Sequence, residues 1–167
     1  MNPRLLLWRL TPVDAGPWHR IMRGALAELQ GLFASDWAEW IDRPQDEFRA
    51  VLERADCWAA GWAQGQPLVV GRCEALESPG TATLMGVYAL PEARGTGLAA
   101  ALVRQLVARA AAQGHHRIQL DVVATNQRAL RFYRGLGFAP TATPPLRNPL
   151  GLDELELALQ LPRRLAA

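Results

Sequence analysis

The stretch ALPEARGTGLAA, residues 89–100, constrains the fold more than any other part of the chain, because it places two glycines between two regular elements. The run Thr81–Leu90 has the composition of a β-strand, and from Leu98 onward apolar residues recur at helical spacing. Glycine weakens the interior of both kinds of element, so a loop that keeps two of them needs positive φ angles or close approach to its backbone. The sequence therefore predicts a strand–loop–helix unit with a specialised loop.

The start of this helix is suited to binding an anion. The N–H groups around Gly97 have no partner inside the helix, and the helix dipole adds partial positive charge there. Arg94 can contribute a charge-assisted contact. A tight turn into a helix, without any ligand, is the alternative explanation of the two glycines.

The same glycines also satisfy the dinucleotide-binding pattern G-x-G-x-x-A, with Asp121 at about the distance expected of a ribose-binding acid. In that pattern the first glycine directly follows the strand, whereas residues 91–94 intervene here. Val122 and Val123 continue the strand beyond the acid, and too few residues follow for a doubly wound sheet. These departures disfavour a dinucleotide fold.

The remaining patterns predict alternating strands and helices. Strands are expected at Arg4–Leu10, Cys57–Ala63, Leu68–Leu76, Thr81–Leu90, Ile118–Val123 and 154–161. Helices are expected after Asp14, Pro44, Gly97 and Asn126, and residues 31–42 are expected to form a loop or an irregular helix. The order β-α-α-β-β-β-α-β-α-β-β, in which the first strand after the last helix has no assigned residues, predicts an α/β (α+β) fold in which helices cover both faces of a mixed sheet.

Composition narrows the function classes. A chain of 167 residues, half of them apolar and 20% charged, suits one globular domain over residues 1–167. The net charge of +2 favours neither a nucleic-acid nor a membrane partner, and no apolar run approaches the ~18 residues of a membrane span. Cys57 and Cys73 are the only cysteines and have no histidine at ligand spacing. We therefore expect a cytoplasmic protein with no disulfide framework and no metal.

A second pattern, N-x-x-A-x-x-x-Y-x-x-x-G-F, follows the predicted strand at 118–123. Its members are Asn126, Ala129, Tyr133, Gly137 and Phe138. The glycine loop matches the pattern R/Q-x-x-G-x-G/A through Arg94, Gly97 and Ala99. Together, in this order and at this separation, the two patterns resemble the signatures of the GNAT superfamily of N-acetyltransferases, with specific matches over about residues 84–138.

The resemblance implies a GNAT-like fold, in which a mixed, mostly antiparallel central sheet contains one splayed parallel strand pair. It also implies that acetyl-CoA is the co-substrate, with its pyrophosphate on the glycine loop and its pantetheine arm in the gap between the splayed strands. A backbone N–H near Val87 would polarise the thioester carbonyl. The residues that it assigns to acetyl-CoA are Val87, Ala89, Arg94, Gly95, Thr96, Gly97, Leu98, Ala99 and Asn126.

Tyr133 is the residue that the resemblance assigns as general acid, protonating the departing CoA thiolate. It lies seven residues, or two helical turns, after Asn126, so both side chains should face the same side of their helix. A core aromatic with a satisfied hydroxyl is the alternative for Tyr133. Capping of the helix alone would explain Asn126.

A general base must deprotonate the attacking amine, directly or through water. Asp121 is the first candidate, on the strand face opposite the alternating apolar residues. In ribosomal-protein N-terminal acetyltransferases a glutamate often occupies this place, and aspartate is one methylene shorter. Glu74 and Glu77 are the other candidates, and a structural role for Asp121 stays open.

The acceptor side is expected in the stretch SDWAEWID, residues 35–42. Its three carboxylates and the indoles of Trp37 and Trp40 could attract a cationic amine, since tryptophan faces favour cations. The spacing of the two tryptophans equally suits packing on one helical face. Both interpretations stay open.

The resemblance as a whole implies an enzyme that transfers acetyl from acetyl-CoA to a primary amine by direct attack in a ternary complex. A catalytically weak acyl-CoA-binding module of the same fold is the alternative. The sequence does not identify the amine, whether a small molecule or a peptide N-terminus, and it leaves both a monomer and a homodimer open.

Overall fold

The structure is a computed structural model that describes residues 4–29, 42–62 and 65–162. The strands are β1 (Leu5–Arg9), β2 (Asp56–Trp62), β3 (Val69–Ala75), β4 (Thr81–Ala89), β5 (Arg117–Val123), β6 (Ala139–Pro140), β7 (Leu146–Arg147) and β8 (Asp153–Gln160). The helices are α1 (Ala15–Glu28), α2 (Gln45–Arg54), α3 (Leu98–Ala112) and α4 (Gln127–Gly135), with short 3-10 turns at Pro12–Asp14 and Pro91–Ala93. The predicted loop or irregular helix at 31–42 lies almost wholly outside the described residues.

The strands form a single mixed sheet in the order β1-β2-β3-β4-β5-β8-β6, and β7 also pairs with β8. Every pairing is antiparallel except that between β4 and β5. The predicted fold, mostly antiparallel with one parallel pair, is therefore confirmed. The predicted order ended in two strands, whereas the structure has three after α4. β6 and β7 contain two residues each, which is too short to produce an alternating sequence pattern.

Helices cover both faces of the sheet, and each face has its own hydrophobic core. One core packs α3 and α4 against the sheet, and its buried residues include Leu102, Leu106, Ile118 and Leu120. The other packs α1 and α2 against β1–β4, with Phe48 at its centre. The prediction that helices cover both faces of the sheet is thus confirmed.

The sheet opens between its two parallel strands. β4 and β5 pair only over Thr81–Thr83 and Arg117–Gln119, although the strands contain nine and seven residues. On its other side β4 shifts register against β3 between Val70 and Arg72, so two β4 residues oppose one on β3. Gly86 supplies the positive φ of 59° at this bulge. The second half of β4 is consequently free of β5, as expected of a splayed pair.

The longest described helix, α3, has 15 residues. In the ranges 4–29, 42–62 and 65–162 no helix is long and apolar enough to cross a membrane. Cys57 and Cys73 are buried free thiols.

Candidate functional site

A cleft of about 410 Å³ lies where β4 leaves β5. It is lined by the end of β4, the glycine loop, the start of α3 and one face of α4; these residues are Val87, Tyr88, Ala89, Arg94, Gly95, Gly97, Ala99, Ala100, Asn126, Arg128, Ala129, Phe132 and Tyr133, together with Leu29 after α1. Tyr133 belongs to the core under α3 and α4, and Tyr88 to the core under α1 and α2. The cleft wall therefore includes side chains from both faces of the sheet.

The glycine loop presents backbone donors to this cleft. Gly95 and Gly97 have φ angles of 76° and 86°, and Gly97 is the N-cap residue directly before α3. The N–H of Ala101 is the first in α3 to reach a carbonyl of the preceding turn, that of Gly97, at 3.0 Å. Among the described residues no backbone carbonyl accepts from the N–H of Gly97 or Ala99. These donors at the positive end of a helix form an anion-binding geometry.

Two residues of the predicted loop site do not line the cleft. The Thr96 hydroxyl donates to the carbonyl of Ala93 at 2.6 Å and so holds the turn together. Leu98 is fully buried in the core. Their side chains stabilise the loop, and their N–H groups are also engaged, because that of Thr96 donates to the carbonyl of Ala93 and that of Leu98 to the Thr96 hydroxyl, each at 3.4 Å.

Arg94 lines the cleft, but its guanidinium is held from the protein side. Nη2 donates to Oε2 of Glu28 at 2.5 Å, and Nε donates to the carbonyl of Ala89 at 3.2 Å. The Tyr88 hydroxyl donates to the same Glu28 oxygen at 2.6 Å. Hydrogen bonds from Arg94 and Tyr88 lower the pKa of Glu28 to about 2. Glu28 is therefore an ionised anchor rather than a base at neutral pH.

Asn126 caps α4, and its side chain also lines the cleft. Its Oδ1 accepts from the N–H of Ala129 at 3.1 Å. The capping interpretation is thus confirmed. The amide Nδ2 donates to none of the described residues and is left for a ligand in the cleft.

Tyr133 lies two turns after Asn126, and both residues line the cleft, as predicted from their spacing. Its ring packs edge-on against Phe132 and Phe138, with ring centroids 5.1 and 5.7 Å away. The residue is only 9% exposed, and burial raises the pKa of its phenol. The hydroxyl stays protonated across the physiological range and accepts or donates no hydrogen bond among the described residues. It is packed as a core aromatic and also presents a free donor.

Comparison with known proteins identifies the family. The sequence profile of the Acetyltransferase (GNAT) family matches residues 25–138. This chain belongs to the GNAT family. An uncharacterized N-acetyltransferase of Mycobacterium tuberculosis is 37% identical over 117 residues, which cover 70% of this chain and 67% of the relative.

Solved structures share the GNAT fold of this chain. A GNAT-family acetyltransferase from Streptococcus pneumoniae has a TM-score of 0.81 at 19% identity, covering 95% of this chain and 100% of its own. A Salmonella typhimurium protein solved with its cofactor acetyl-CoA has a TM-score of 0.79 at 21% identity, covering 98% of both chains. At these identities the likeness concerns the fold.

In this GNAT chain Asp121 lies outside the cleft. Its neighbours along β5 are buried in the core under α3 and α4, so strand alternation directs Asp121 to the opposite face, where it is exposed. Partial desolvation, then the carboxylates of Glu154 and Glu156, raises the pKa of Asp121. Glu156 is held by Arg117 at 2.9 Å, and Asp121 accepts no hydrogen bond from a described residue.

The other predicted site residues are not brought to the cleft. Glu74 forms an ion pair with Arg72, with Oε1 3.0 Å from Nε, and Glu77 is exposed in the loop after β3. Trp37 and Trp40 lie outside the described residues. Across 4–29, 42–62 and 65–162 no group of three or more His, Cys, Asp or Glu side chains could hold a metal ion.

Sequence reasoning assigned no role to Tyr88 and Arg128, two polar side chains that line the cleft, or to Glu28, which bonds Arg94 and Tyr88. Arg128 lies in the first turn of α4, and a cation there opposes the helix dipole, which is a local signal of a functional role. It forms no ion pair within 4.0 Å among the described residues. Glu28 has no comparable signal, because its partner Arg94 is 66 positions away.

Proposed function

We propose that this GNAT chain is an N-acetyltransferase that moves the acetyl group of acetyl-CoA to a primary amine. One observation carries the proposal: a single cleft holds free N–H donors and Arg94 at the glycine loop, and Arg128 and a protonated Tyr133 on the facing helix. The first group suits the phosphates of CoA, and Tyr133 suits a departing thiolate. We further infer that residues 1–167 form one acetyltransferase domain.

The cleft also fits the pantetheine arm. The open half of β4 contributes Val87 and Ala89, which have no β5 partner in the ladder. Strand backbone released from pairing can hydrogen-bond the amides of an extended arm, and Nδ2 of Asn126 faces the same cleft. Arg128 adds a second cation for phosphate oxygens.

The chemistry is a direct transfer. The amine nitrogen attacks the acetyl carbon, the new C–N bond forms, and the C–S bond breaks to release CoA. The amine's proton passes to a base or to water, and the thiolate takes its proton from the hydroxyl of Tyr133, which solvent restores. Asp121 remains our proposed base, reached through water, since a raised pKa strengthens it in that role.

A non-catalytic acyl-CoA-binding module is the second candidate, because no carboxylate or histidine lines the described cleft. The two functions separate in one experiment. CoA affinity is measured by calorimetry, and free-thiol release from acetyl-CoA is followed against small amines, polyamines and peptides with free N-termini. We expect binding together with amine-dependent thiol release. Binding without turnover on any amine would support the module, and no binding would contradict both.

A further inference from the structure

We propose that Glu28 is a positioning residue, which holds Arg94 at the cleft wall in the orientation that the phosphates of CoA require. This inference rests on the proposed function. Glu28 is the last residue of α1 and lies on the opposite side of the sheet from α3, the helix that the glycine loop begins. A contact across 66 sequence positions therefore joins α1 to the glycine loop.

Two acceptors, Glu28 and the carbonyl of Ala89, hold the Arg94 guanidinium, and we call this arrangement the clamp. An arginine has five N–H donors, and two of those in Arg94 are used: Nη2 on Glu28 and Nε on the carbonyl of Ala89. A third can reach the Tyr88 hydroxyl, and the other two have no acceptor among the described residues. The side chain is only 22% exposed, so it is held against the wall rather than extended into solvent. Its free donors are fixed at the loop before any ligand arrives.

Tyr88 holds the Glu28 carboxylate in place for Arg94. It is 5% exposed, its hydroxyl donates to the Glu28 oxygen that Arg94 also uses, and the Arg94 guanidinium carbon lies 5.8 Å from the centre of its ring. Burial, followed by the hydrogen bond to Glu28, raises the pKa of Tyr88 to about 12, so the phenol remains a donor. One carboxylate thus receives two donors from a single short stretch of chain. Fixing a side chain in its binding orientation reduces the entropy lost on binding.

The test compares acetyl donors with and without phosphates. For Arg94→Ala we expect the Kd for CoA to rise roughly 10- to 100-fold, the effect of losing a charged hydrogen-bond donor. For Glu28→Ala we expect a rise of roughly 3- to 10-fold, and for Glu28→Gln, which keeps an acceptor oxygen, a smaller one. Glu28→Ala added to Arg94→Ala should change nothing further, because Glu28 acts through Arg94.

A structural role would not produce this pattern with acetyl-pantetheine, which lacks the phosphates. We expect Glu28→Ala to raise KM for acetyl-CoA while leaving kcat, and kcat/KM with acetyl-pantetheine, within about twofold of the parent. Glu47→Ala is the matched control, since it removes the exposed Arg43–Glu47 pair at the start of α2 and should change neither donor's kinetics.

Three results would overturn the inference. An unchanged Kd for CoA in Glu28→Ala would show that Glu28 does not position Arg94 for phosphate. A lower Kd would show that Glu28 competes with phosphate for Arg94. Equal losses with both donors would make Glu28 merely structural. In each case the parent still binds CoA, so the proposed function stands. Absence of CoA binding in the parent would instead overturn the proposed function and this inference together.

Discussion

The glycine loop and the outer surface of β5 are both candidate parts of one active site, yet the fold builds them in opposite ways. The loop enters the cleft mainly as backbone, with Arg94 and Arg128 supplying charge. Asp121 lies on the other sheet face, exposed and beside the carboxylates of β8. Within the described residues the half that we propose for the acetyl donor is enclosed in a cleft, and the half that we propose for the acceptor is open. The loop itself is built from a short stretch of chain, whereas the surroundings of Asp121 depend on neighbouring strands.

The largest effect is expected from a substitution that tests whether a residue of the cleft, Tyr133, takes part in the transfer reaction. Tyr133→Phe keeps the edge-on packing against Phe132 and Phe138 and removes only the hydroxyl. We expect turnover to fall by a factor on the order of 10²–10⁴, as for loss of a general acid, with CoA affinity and Tm nearly unchanged. Steady-state kinetics, calorimetry and thermal melts check this. Full activity in Tyr133→Phe would leave the residue as a core aromatic.

The loop itself is tested by a matched pair of glycines. Gly97 and Gly114 have φ angles of 86° and 89°, and an added Cβ at either would meet no atom within 4 Å. Alanine should therefore cost both sites a similar ~1–2 kcal/mol of stability. Only Gly97 lines the cleft, so its Cβ would occupy ligand space.

We expect Gly97→Ala to raise the Kd for CoA by roughly tenfold or more, and the bulkier Gly97→Val to raise it further, while Gly114→Ala binds like the parent. Calorimetry with CoA measures both, and melts verify that the two alanine variants lose similar stability. Equal CoA affinity in the two alanine variants would make the loop an ordinary turn.

Substitution of Arg128 tests the charge in the cleft, because the affinity for CoA should fall while the stability of the fold rises. Its loss removes a cation from the cleft but also from the unfavourable N-terminal end of α4. For Arg128→Ala we expect the Kd for CoA to rise roughly 3- to 10-fold and the stability to rise by about 0.3–1 kcal/mol. Urea unfolding and calorimetry at two salt concentrations check this, and a stability loss would contradict the dipole argument.

The smallest expected effect is on the stability of the fold and comes from Asp121, on the exposed face of β5. The pKa of Asp121 is raised in the folded protein, so folding is disfavoured as pH rises from the unfolded pKa through the folded one. Asp121→Asn should therefore be more stable than the parent at neutral pH, by less than about 1 kcal/mol after screening, and this gain should vanish below the unfolded pKa. Thermal melts from pH 3 to 8 measure the difference.

If Asp121 is also the base, Asp121→Asn should lose turnover mainly at low pH, where less free amine is present, and keep its CoA affinity. A pH–rate profile that matches the parent would assign proton removal to water or to another group. Glu74 is a weaker second choice than its sequence position indicated, because Arg72 holds its carboxylate.

The local parts of the site were predictable because each depends on a short span of chain. The glycine loop and the cap at Asn126 follow from residues within one or two helical turns, and the shared face of Asn126 and Tyr133 follows from helix periodicity. Alternation along β5 also predicted correctly that Asp121 faces away from the apolar side chains. It could not say which helices cover that face.

What the sequence determined alone was therefore the identity of the elements and the periodic faces they bury, since these depend on spacing. The tertiary structure decided which distant groups meet. Arg94 was predicted to contact a phosphate, and the fold also places Glu28 against it, a contact that only packing of α1 on β4 makes. The width of the cleft likewise depends on where the β4–β5 ladder stops, at Thr83. Hydrogen bonds between remote strands, and contacts between remote charges, produce no periodic pattern in the sequence, because they depend on the geometry of the assembled sheet.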